Sequence, residues 1–197
     1  NSAGIDLENT DVVLDDRGFV EIDAQQKTAD PKIFAVGDVA GGLLLAHKAI
    51  YEGKIAADVI HGEPAAFDAR AVPAVIYTDP QIAYCGLMAE DARSQGYKVE
   101  VARFPWSASG RATTMGTRSG LTMLVIEKGT KRILGMGVVG PGAGELIAEG
   151  VLAVEMGAVA SDLGLSIHPH PTLSETVMEA ADLIYGTATH YHRPKRK

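Results

Sequence analysis

The order of the elements after residue 70 limits the fold most, because strand-like runs come first and helices follow. Short runs rich in apolar and β-branched residues predict strands at 74–77, 99–104, 121–127 and 133–139. Residues 128–131 between the last two runs are typical of a hairpin loop. Helical patterns cover 89–95, 145–156, 158–165 and 173–186. Adjacent strands followed by helices indicate an α+β fold with an antiparallel sheet.

The first part of the chain follows a different pattern. Alternating or apolar residues predict strands at 19–22 and 33–36, the second of them buried. A glycine-rich break at 37–42 follows, and apolar residues at helical spacing then predict a helix over 44–61.

A linker separates the two parts. Gly62 and Pro64 end the predicted helix, and a polar stretch continues to about residue 70. The excess of acidic residues lies entirely in residues 1–64, which also suggests two modules. We therefore predict one domain over 1–66 and a second over 67–197.

Composition excludes several function classes. The formal net charge is −7, whereas nucleic-acid binding requires a basic face, and the basic cluster at 193–197 is interpreted as a solvated end. No apolar run approaches the ~18–20 residues of a membrane span. We therefore expect neither a nucleic-acid partner nor a membrane. The single cysteine, Cys85, favours a reducing compartment, which is the cytoplasm or, in a eukaryote, the mitochondrial matrix.

The glycine-rich break presents one carboxylate at the end of a predicted strand. Gly37 and Asp38 stand there, and small residues lead from them to the next helix. A carboxylate can accept hydrogen bonds from the hydroxyls of a sugar or polyol. The helix N-terminus offers N–H groups to an electron-rich ligand atom. The alternative is that Asp38 only caps a turn that the glycines permit.

The densest chemical signal is the segment 168–175, which reads His-Pro-His-Pro-Thr-Leu-Ser-Glu. His170 precedes a proline, which disfavours helix there, and a helix can start at Thr172 or Ser174. Glu175 can then fold back to bond one imidazole nitrogen of His170, which raises the basicity of the other nitrogen. Such a dyad is suited to accept a proton from a thiol or a hydroxyl.

Two other interpretations of this segment stay open. It can be a proline-rich loop in which Glu175 only caps the helix. It can also hold a metal, because His168 and His170 alternate as His190 and His192 do, and alternate residues of an extended segment share a face. No thiolate joins these pairs and the second lies in the terminal segment, so we expect no metal.

Residues 33–49 resemble the second FAD-contact motif of the pyridine nucleotide–disulfide oxidoreductases. They read Ile-Phe-Ala-Val-Gly-Asp-Val-Ala-Gly and, two residues later, Leu-Leu-Ala-His-Lys-Ala. The resemblance implies FAD as cofactor, with Asp38 on its ribityl chain and Gly37 in the same turn. It also implies that Leu45 and Ala46, at the start of the helix, lie near the pyrimidine side of the flavin.

His170-Pro171-Thr172 followed by Glu175 resembles the catalytic dyad of the same family. The string 168–175 is most similar to the members that serve 2-oxo acid dehydrogenase complexes. This implies oxidation of dihydrolipoyl groups by NAD through FAD and a redox disulfide, with His170 as the base and Glu175 holding its ring. The implied partners are a second copy, in a homodimer, and a lipoyl-bearing acyltransferase.

The similarity has departures and gaps. Gln81 stands where the family usually has Glu, and Cys85 where it usually has an apolar residue. The redox Cys-x4-Cys pair, the Gly-x-Gly-x-x-Gly after an N-terminal strand and the NAD fingerprint are missing. The chain thus resembles the C-terminal two-fifths of such an enzyme.

The implied fold is the end of an FAD-binding α/β region followed by an antiparallel-sheet and helix dimerisation domain. We expect the chain alone to bind neither FAD nor NAD and to be inactive. The alternatives are a non-catalytic dimerisation scaffold and a related glutathione-type disulfide reductase.

Overall fold

A computed structural model describes residues 2–192 and divides between Ala69 and Arg70 into two compact units. The basic cluster at 193–197 lies outside the described residues.

The first unit contains one long helix and two short 3₁₀ turns. Helix α1 spans Ala46–His61, and the turns span Leu7–Asn9 and Gly37–Ala40. Gly62 ends the helix in a left-handed conformation, where the Gly62 N–H donates to the Val59 carbonyl and the Glu63 N–H donates to the Asp58 carbonyl. The predicted helix and its glycine stop are therefore confirmed.

The two strands predicted in this unit are wrong. Within residues 2–69 the runs 19–22 and 33–36 form only isolated bridges, Leu14 with Val20 and Lys27 with Phe34. A strand needs several consecutive paired residues. Here each run pairs through one bridge with a segment on the other side of a turn, and the two segments then diverge. The burial predicted for the second run holds only for Ala35, since Ile33, Phe34 and Val36 are partly exposed.

The second unit is built on one antiparallel sheet with the strand order β1-β2-β5-β4-β3. The strands are Ala74–Ile76 (β1), Ile82–Gly86 (β2), Val99–Pro105 (β3), Leu121–Glu127 (β4) and Ile133–Val139 (β5). The α+β prediction is confirmed, and so is the hairpin between β4 and β5. Strand β2 was not predicted, because its small residues and terminal glycine give a weak local signal. Its register is set by pairing with β5, where Tyr84 lies opposite Gly137.

Helices cover the sheet. They are Ala89–Ser94 (α2), Gly110–Thr114 (α3), Ala143–Glu155 (α4), Ala160–Leu165 (α5) and Glu175–Asp182 (α6). Helix α4 packs on β2 and β5, α6 packs on β3 and β4, and α5 packs on α6. Helix α3 was not predicted; it is short and is capped by the Ser109 hydroxyl, which accepts the Ala112 N–H.

Trp106 anchors the core between the sheet and α6. Its side chain is fully buried, and a Cβ at Gly120 or Gly140 would lie 2.2 Å from its ring, so both positions exclude any side chain. Its Nε1–H donates to the Thr122 hydroxyl at 2.9 Å, which lies 2.7 Å from the Thr176 hydroxyl. Thr176 must donate to the Leu173 carbonyl, at 2.6 Å, so Thr122 donates to Thr176. This series of hydrogen bonds fixes the first turn of α6 to the sheet.

Candidate active site

His170 and Glu175 form the hydrogen bond that their spacing predicts. The His170 Nδ1 lies 2.9 Å from the Glu175 Oε1, and the other carboxylate oxygen accepts the Thr172 N–H at 2.7 Å. Glu175 lies in the first turn of α6, as predicted; it is the first residue of the helix and Ser174 occupies the N-cap position. The helix ends at Asp182, so it is shorter than the predicted 173–186. The His170 side chain is 69% exposed and that of Glu175 only 17%. The imidazole ring is therefore open to solvent, whereas the carboxylate that holds it is largely buried.

Short local bonds hold the segment before α6 in this shape. The Thr172 hydroxyl donates to the Pro169 carbonyl at 2.7 Å and lies 2.8 Å from the Ser174 hydroxyl. The loop therefore gives both residues of the dyad a fixed backbone.

The arrangement suits proton transfer. An ionised Glu175 can only accept, so Nδ1 carries the hydrogen of this bond and the exposed Nε2 is left to accept a proton from a substrate. The carboxylate then stabilises the imidazolium that forms.

The pKa of Glu175 lies below its ordinary value of 4.5. Burial alone raises the pKa, but the Thr172 N–H, the hydrogen bond and charge of His170, and the charge of His190 together lower it further than burial raises it. Glu175 thus stays ionised at neutral pH, as the partner of a base must.

We expect Glu175 to make the stability of the chain depend on acid pH. Because its folded pKa is lowered, its contribution is fully present above pH 4.5 and is lost as the pH falls through the folded pKa. The difference in unfolding free energy between wild type and Glu175→Gln should therefore shrink as the pH falls below 4.5 and through the folded pKa. Urea unfolding at a series of pH values measures it. Glu90→Gln on the exposed face of α2 is the control, and an equal dependence in both variants would contradict the expectation.

A second histidine–glutamate pair lies one helical turn further along α6. Glu179 is 2% exposed, its Oε1 lies 2.6 Å from the His190 Nδ1, and its Oε2 accepts the His190 N–H at 3.3 Å. His170, Glu175, Glu179 and His190 all line one small cavity. Sequence reasoning missed this pair, although Glu175 and Glu179 have the four-residue spacing that places side chains on one helix face.

His168 is bound within the protein at both ring nitrogens. Its Nδ1 lies 2.8 Å from the Ser166 carbonyl and its Nε2 lies 2.8 Å from a Glu149 carboxylate oxygen. Among residues 2–192 no group of three or more His, Cys, Asp or Glu side chains is arranged to hold a metal ion. The interpretation that the alternating histidines bind metal gains no support from this geometry.

The Gly37–Asp38 turn lies in the first unit. Gly37 is buried with a φ of 77°, and a Cβ there would lie 2.9 Å from the Ala49 Cβ. Asp38 is exposed in the 3₁₀ turn Gly37–Ala40. Leu45 is the N-cap of α1 and Ala46 is its first residue, and the Leu45 side chain makes no capping hydrogen bond.

This turn has the groups that FAD requires. An exposed carboxylate suits the ribityl hydroxyls, and the positive N-terminal end of a helix suits the electron-rich atoms of the pyrimidine ring. The residues Gly37, Asp38, Leu45 and Ala46 therefore fit the cofactor that the sequence implies, and their roles stay predictions.

Cys85 is not placed for redox chemistry. It lies in β2 with no exposed surface, and burial raises the pKa of its thiol to about 12. A thiolate, the reactive form, is therefore scarce at neutral pH.

One glycine pattern is misleading. The string 135–140 reads Gly-Met-Gly-Val-Val-Gly, but residues 135–139 lie within β5 instead of at a turn between a strand and a helix. It therefore lacks the turn and helix N-terminus with which a dinucleotide fingerprint binds phosphate.

No helix in residues 2–192 has both the length and the apolar character to cross a membrane.

Comparison with known families defines the class of protein. Residues 72–181 match the family model for the dimerisation domain of pyridine nucleotide-disulphide oxidoreductases, and residues 1–53 match a second model named for pyridine nucleotide-disulphide oxidoreductase. The chain belongs to the pyridine nucleotide-disulphide oxidoreductases, which confirms the resemblance seen in its motifs.

Within this family the chain is similar to proteins named dihydrolipoyl dehydrogenase. That of Thermus scotoductus is 53% identical over 95% of this chain and 40% of its own length. That of Vibrio cholerae is 43% identical over 100% of this chain and 42% of its own length. Among solved structures, LpdA from Mycobacterium tuberculosis has a TM-score of 0.86 at 28% identity, covering 92% of this chain and 40% of that one. The chain thus spans about two-fifths of the length of these relatives.

Proposed function

We propose that this chain provides the second FAD-contact region, residues 1–66, and the dimerisation domain, residues 67–197, of a dihydrolipoyl dehydrogenase. The observation that carries the proposal is the His170–Glu175 hydrogen bond of 2.9 Å, in a chain 43–53% identical to proteins of that name. The reaction is the oxidation of protein-bound dihydrolipoyl groups by NAD through FAD and a redox disulfide.

His170 acts as the general base. An ordinary thiol has a pKa of about 8.5, so most dihydrolipoyl thiols are protonated at neutral pH. The Nε2 of His170 removes the thiol proton, and the resulting thiolate attacks a sulfur of the redox disulfide, which releases the other sulfur as a thiolate. Glu175 holds the ring and stabilises its protonated form.

Asp38, with Gly37 beside it, binds the ribityl hydroxyls of FAD, and the N–H groups near Leu45 and Ala46 bind the pyrimidine side. When bound, FAD would carry the electron pair between the redox disulfide and NAD. The chain's own residues orient the cofactor and move the proton. The chain alone lacks the family's upstream contacts, so its own affinity for FAD is proposed to be weak.

A homodimer belongs to the proposal, with the dyad of one subunit acting at the flavin and disulfide of the other. The partner that delivers the substrate is the lipoyl-bearing acyltransferase of a 2-oxo acid dehydrogenase complex, in the cytoplasm.

Support for the dimer comes from large apolar side chains left exposed in the second unit. These are Leu152 (63%), Met156 (75%), Leu165 (83%) and Ile167 (100%).

We expect the chain to associate as a symmetric dimer. Obligate homodimer interfaces often bury more than ~2,000 Å² of largely apolar surface, so the association should persist between about 0.15 M and 0.5 M salt. Sedimentation equilibrium at micromolar concentration measures the mass. A monomer of 20.7 kDa at both salt concentrations would refute dimerisation of this chain.

A pair of matched variants locates the interface. Ile167→Asp should shift the chain toward monomer, because it introduces a charge into an apolar contact. Ile60→Asp, at an equally large and 68% exposed residue of α1, should leave the mass unchanged. Equal effects of both variants would argue against the proposed face.

The activity is tested on the full-length protein that carries this sequence. Purified protein should be yellow, with FAD bound, and should reduce NAD with dihydrolipoamide. Absence of turnover with dihydrolipoamide, together with turnover of glutathione disulfide, would establish the glutathione-type alternative. Absence of both flavin and turnover would leave the scaffold alternative.

A further inference from the structure

The first unit contains a buried ion pair in α1. The Lys48 Nζ lies 2.6 Å from the Glu52 Oε1, and the two side chains are 10% and 4% exposed. Removing two charges from water is costly, and their mutual attraction repays the cost only when further hydrogen bonds satisfy the remaining donors and acceptors. In this pair the further hydrogen bonds join the two side chains to backbone groups.

Both partners of the pair bind the backbone of one turn. The second oxygen of Glu52 accepts the Gly37 N–H at 2.7 Å, and the Lys48 Nζ donates to the Gly41 carbonyl at 3.0 Å. Gly37 and Gly41 stand at the two ends of the segment that contains Asp38. Lys48 and Glu52 are four residues apart and thus on one face of α1, which lets one helix hold both ends of the turn.

The turn needs this support, because its backbone is unusual. Gly37 and Gly41 have φ angles of 77° and 74°, in the left-handed region that favours glycine. The Gly41 N–H donates to the Asp38 carbonyl at 3.1 Å, and the Val20 N–H donates to the Val39 carbonyl at 2.8 Å. The two contacts from α1 add side-chain bonds that join both ends of the turn to the helix.

We infer that Lys48 and Glu52 are positioning residues for FAD, which hold the Asp38 turn in register with the N-terminus of α1. The inference rests on the proposed function, in which Asp38 and the start of α1 contact the same cofactor. Because Asp38 and the start of α1 contact the same ligand, a shift of one relative to the other would weaken both contacts. A turn fixed before binding also spares the entropy of ordering it.

The test uses the full-length flavoprotein and the double variant Lys48→Met/Glu52→Leu. Replacing a buried ion pair by apolar residues of similar volume is often neutral for stability. The loss of stability in this variant is therefore expected to be limited to the Gly37 N–H and the Gly41 carbonyl, which lose these partners. We expect its apoprotein to bind FAD at least about 10-fold more weakly, the scale seen when supporting residues of a metal site are removed. Fluorescence titration of the apoprotein with FAD measures the Kd, and thermal unfolding of the same apoprotein measures stability.

The matched control is Lys54→Met/Asp58→Leu. It replaces a lysine and a carboxylate at the same spacing in the same helix, but both residues are exposed. We expect its Kd for FAD to stay within about twofold of wild type, because substitutions of exposed residues have small effects.

Three outcomes would overturn the inference. The first is an unchanged Kd in the buried double variant while the wild type binds FAD and oxidises dihydrolipoamide, which leaves the proposed function intact. The second is a loss of affinity matched by an equal loss of apoprotein stability, since the pair then only supports the fold. The third is a wild type that binds no FAD, which removes the proposed function as well. If the double variant does not fold, Glu52→Gln decides, because it keeps the side-chain volume and one acceptor and should still weaken FAD binding.

Discussion

Replacing His170 by Gln in the full-length enzyme is expected to slow dihydrolipoyl oxidation by about 10²–10⁴-fold, the usual contribution of a positioned general base. Glutamine fills similar space but cannot accept the thiol proton, so the attacking thiolate is no longer generated at the site. FAD should remain bound, because the proposed flavin contacts of this chain lie in its first unit. Steady-state kinetics with dihydrolipoamide and NAD measure the rate, and the flavin absorbance measures cofactor content.

Two further variants make this result specific. Glu175→Gln keeps an acceptor for the His170 Nδ1–H but removes the charge that stabilises the imidazolium, so we expect a smaller loss. His61→Gln, the exposed last residue of α1, should leave the rate unchanged. Activity of His170→Gln within a factor of about 3 of wild type would show that His170 is not the base.

Trp106→Ala should lower the unfolding free energy of the chain by about 3–5 kcal/mol, the usual cost of removing a buried aromatic side chain. The ring is fully buried against Gly120 and Gly140, which have no side chains to close the cavity. The variant also leaves the Thr122 hydroxyl without its donor. Urea unfolding followed by far-ultraviolet circular dichroism measures the loss, because Trp106 is the only tryptophan and its fluorescence disappears with it.

Trp106→Phe separates packing from hydrogen bonding. It keeps most of the ring but removes the N–H, so we expect a loss of about 1–3 kcal/mol from the donor that Thr122 no longer has. A loss below about 1 kcal/mol in Trp106→Ala would mean that the site collapses around the missing ring, contrary to the packing described.

The sequence predicted well those features whose cause is local. Strands β4 and β5 have the predicted bounds, since their residues are apolar or β-branched and turn residues flank them. The Gly62 stop of α1 needs only a left-handed residue at the helix end. The bond between His170 and Glu175 depends on a short loop and on the first turn of α6, both visible in eight consecutive residues.

Features that depend on residues distant in sequence were missed. Strand β2 acquires its register from β5, some fifty residues later. The runs 19–22 and 33–36 have the residues of strands, but the described part of the chain offers each only a single bridge. Glu179 is a charged residue in a helix, and nothing in its neighbours along the chain shows that His190 meets it in a buried position.

The order of strands and helices in the second unit also bears on how a newly made chain acquires its chemistry. The strands β3, β4 and β5 pair with their neighbours in sequence, so their contacts close short loops and can form early in folding. Helix α6 follows all five strands in sequence, and its first turn is joined to β4 through Thr122 and Thr176. Because Glu175 begins that helix, a substitution that slows assembly of the sheet would also delay the positioning of the His170–Glu175 pair.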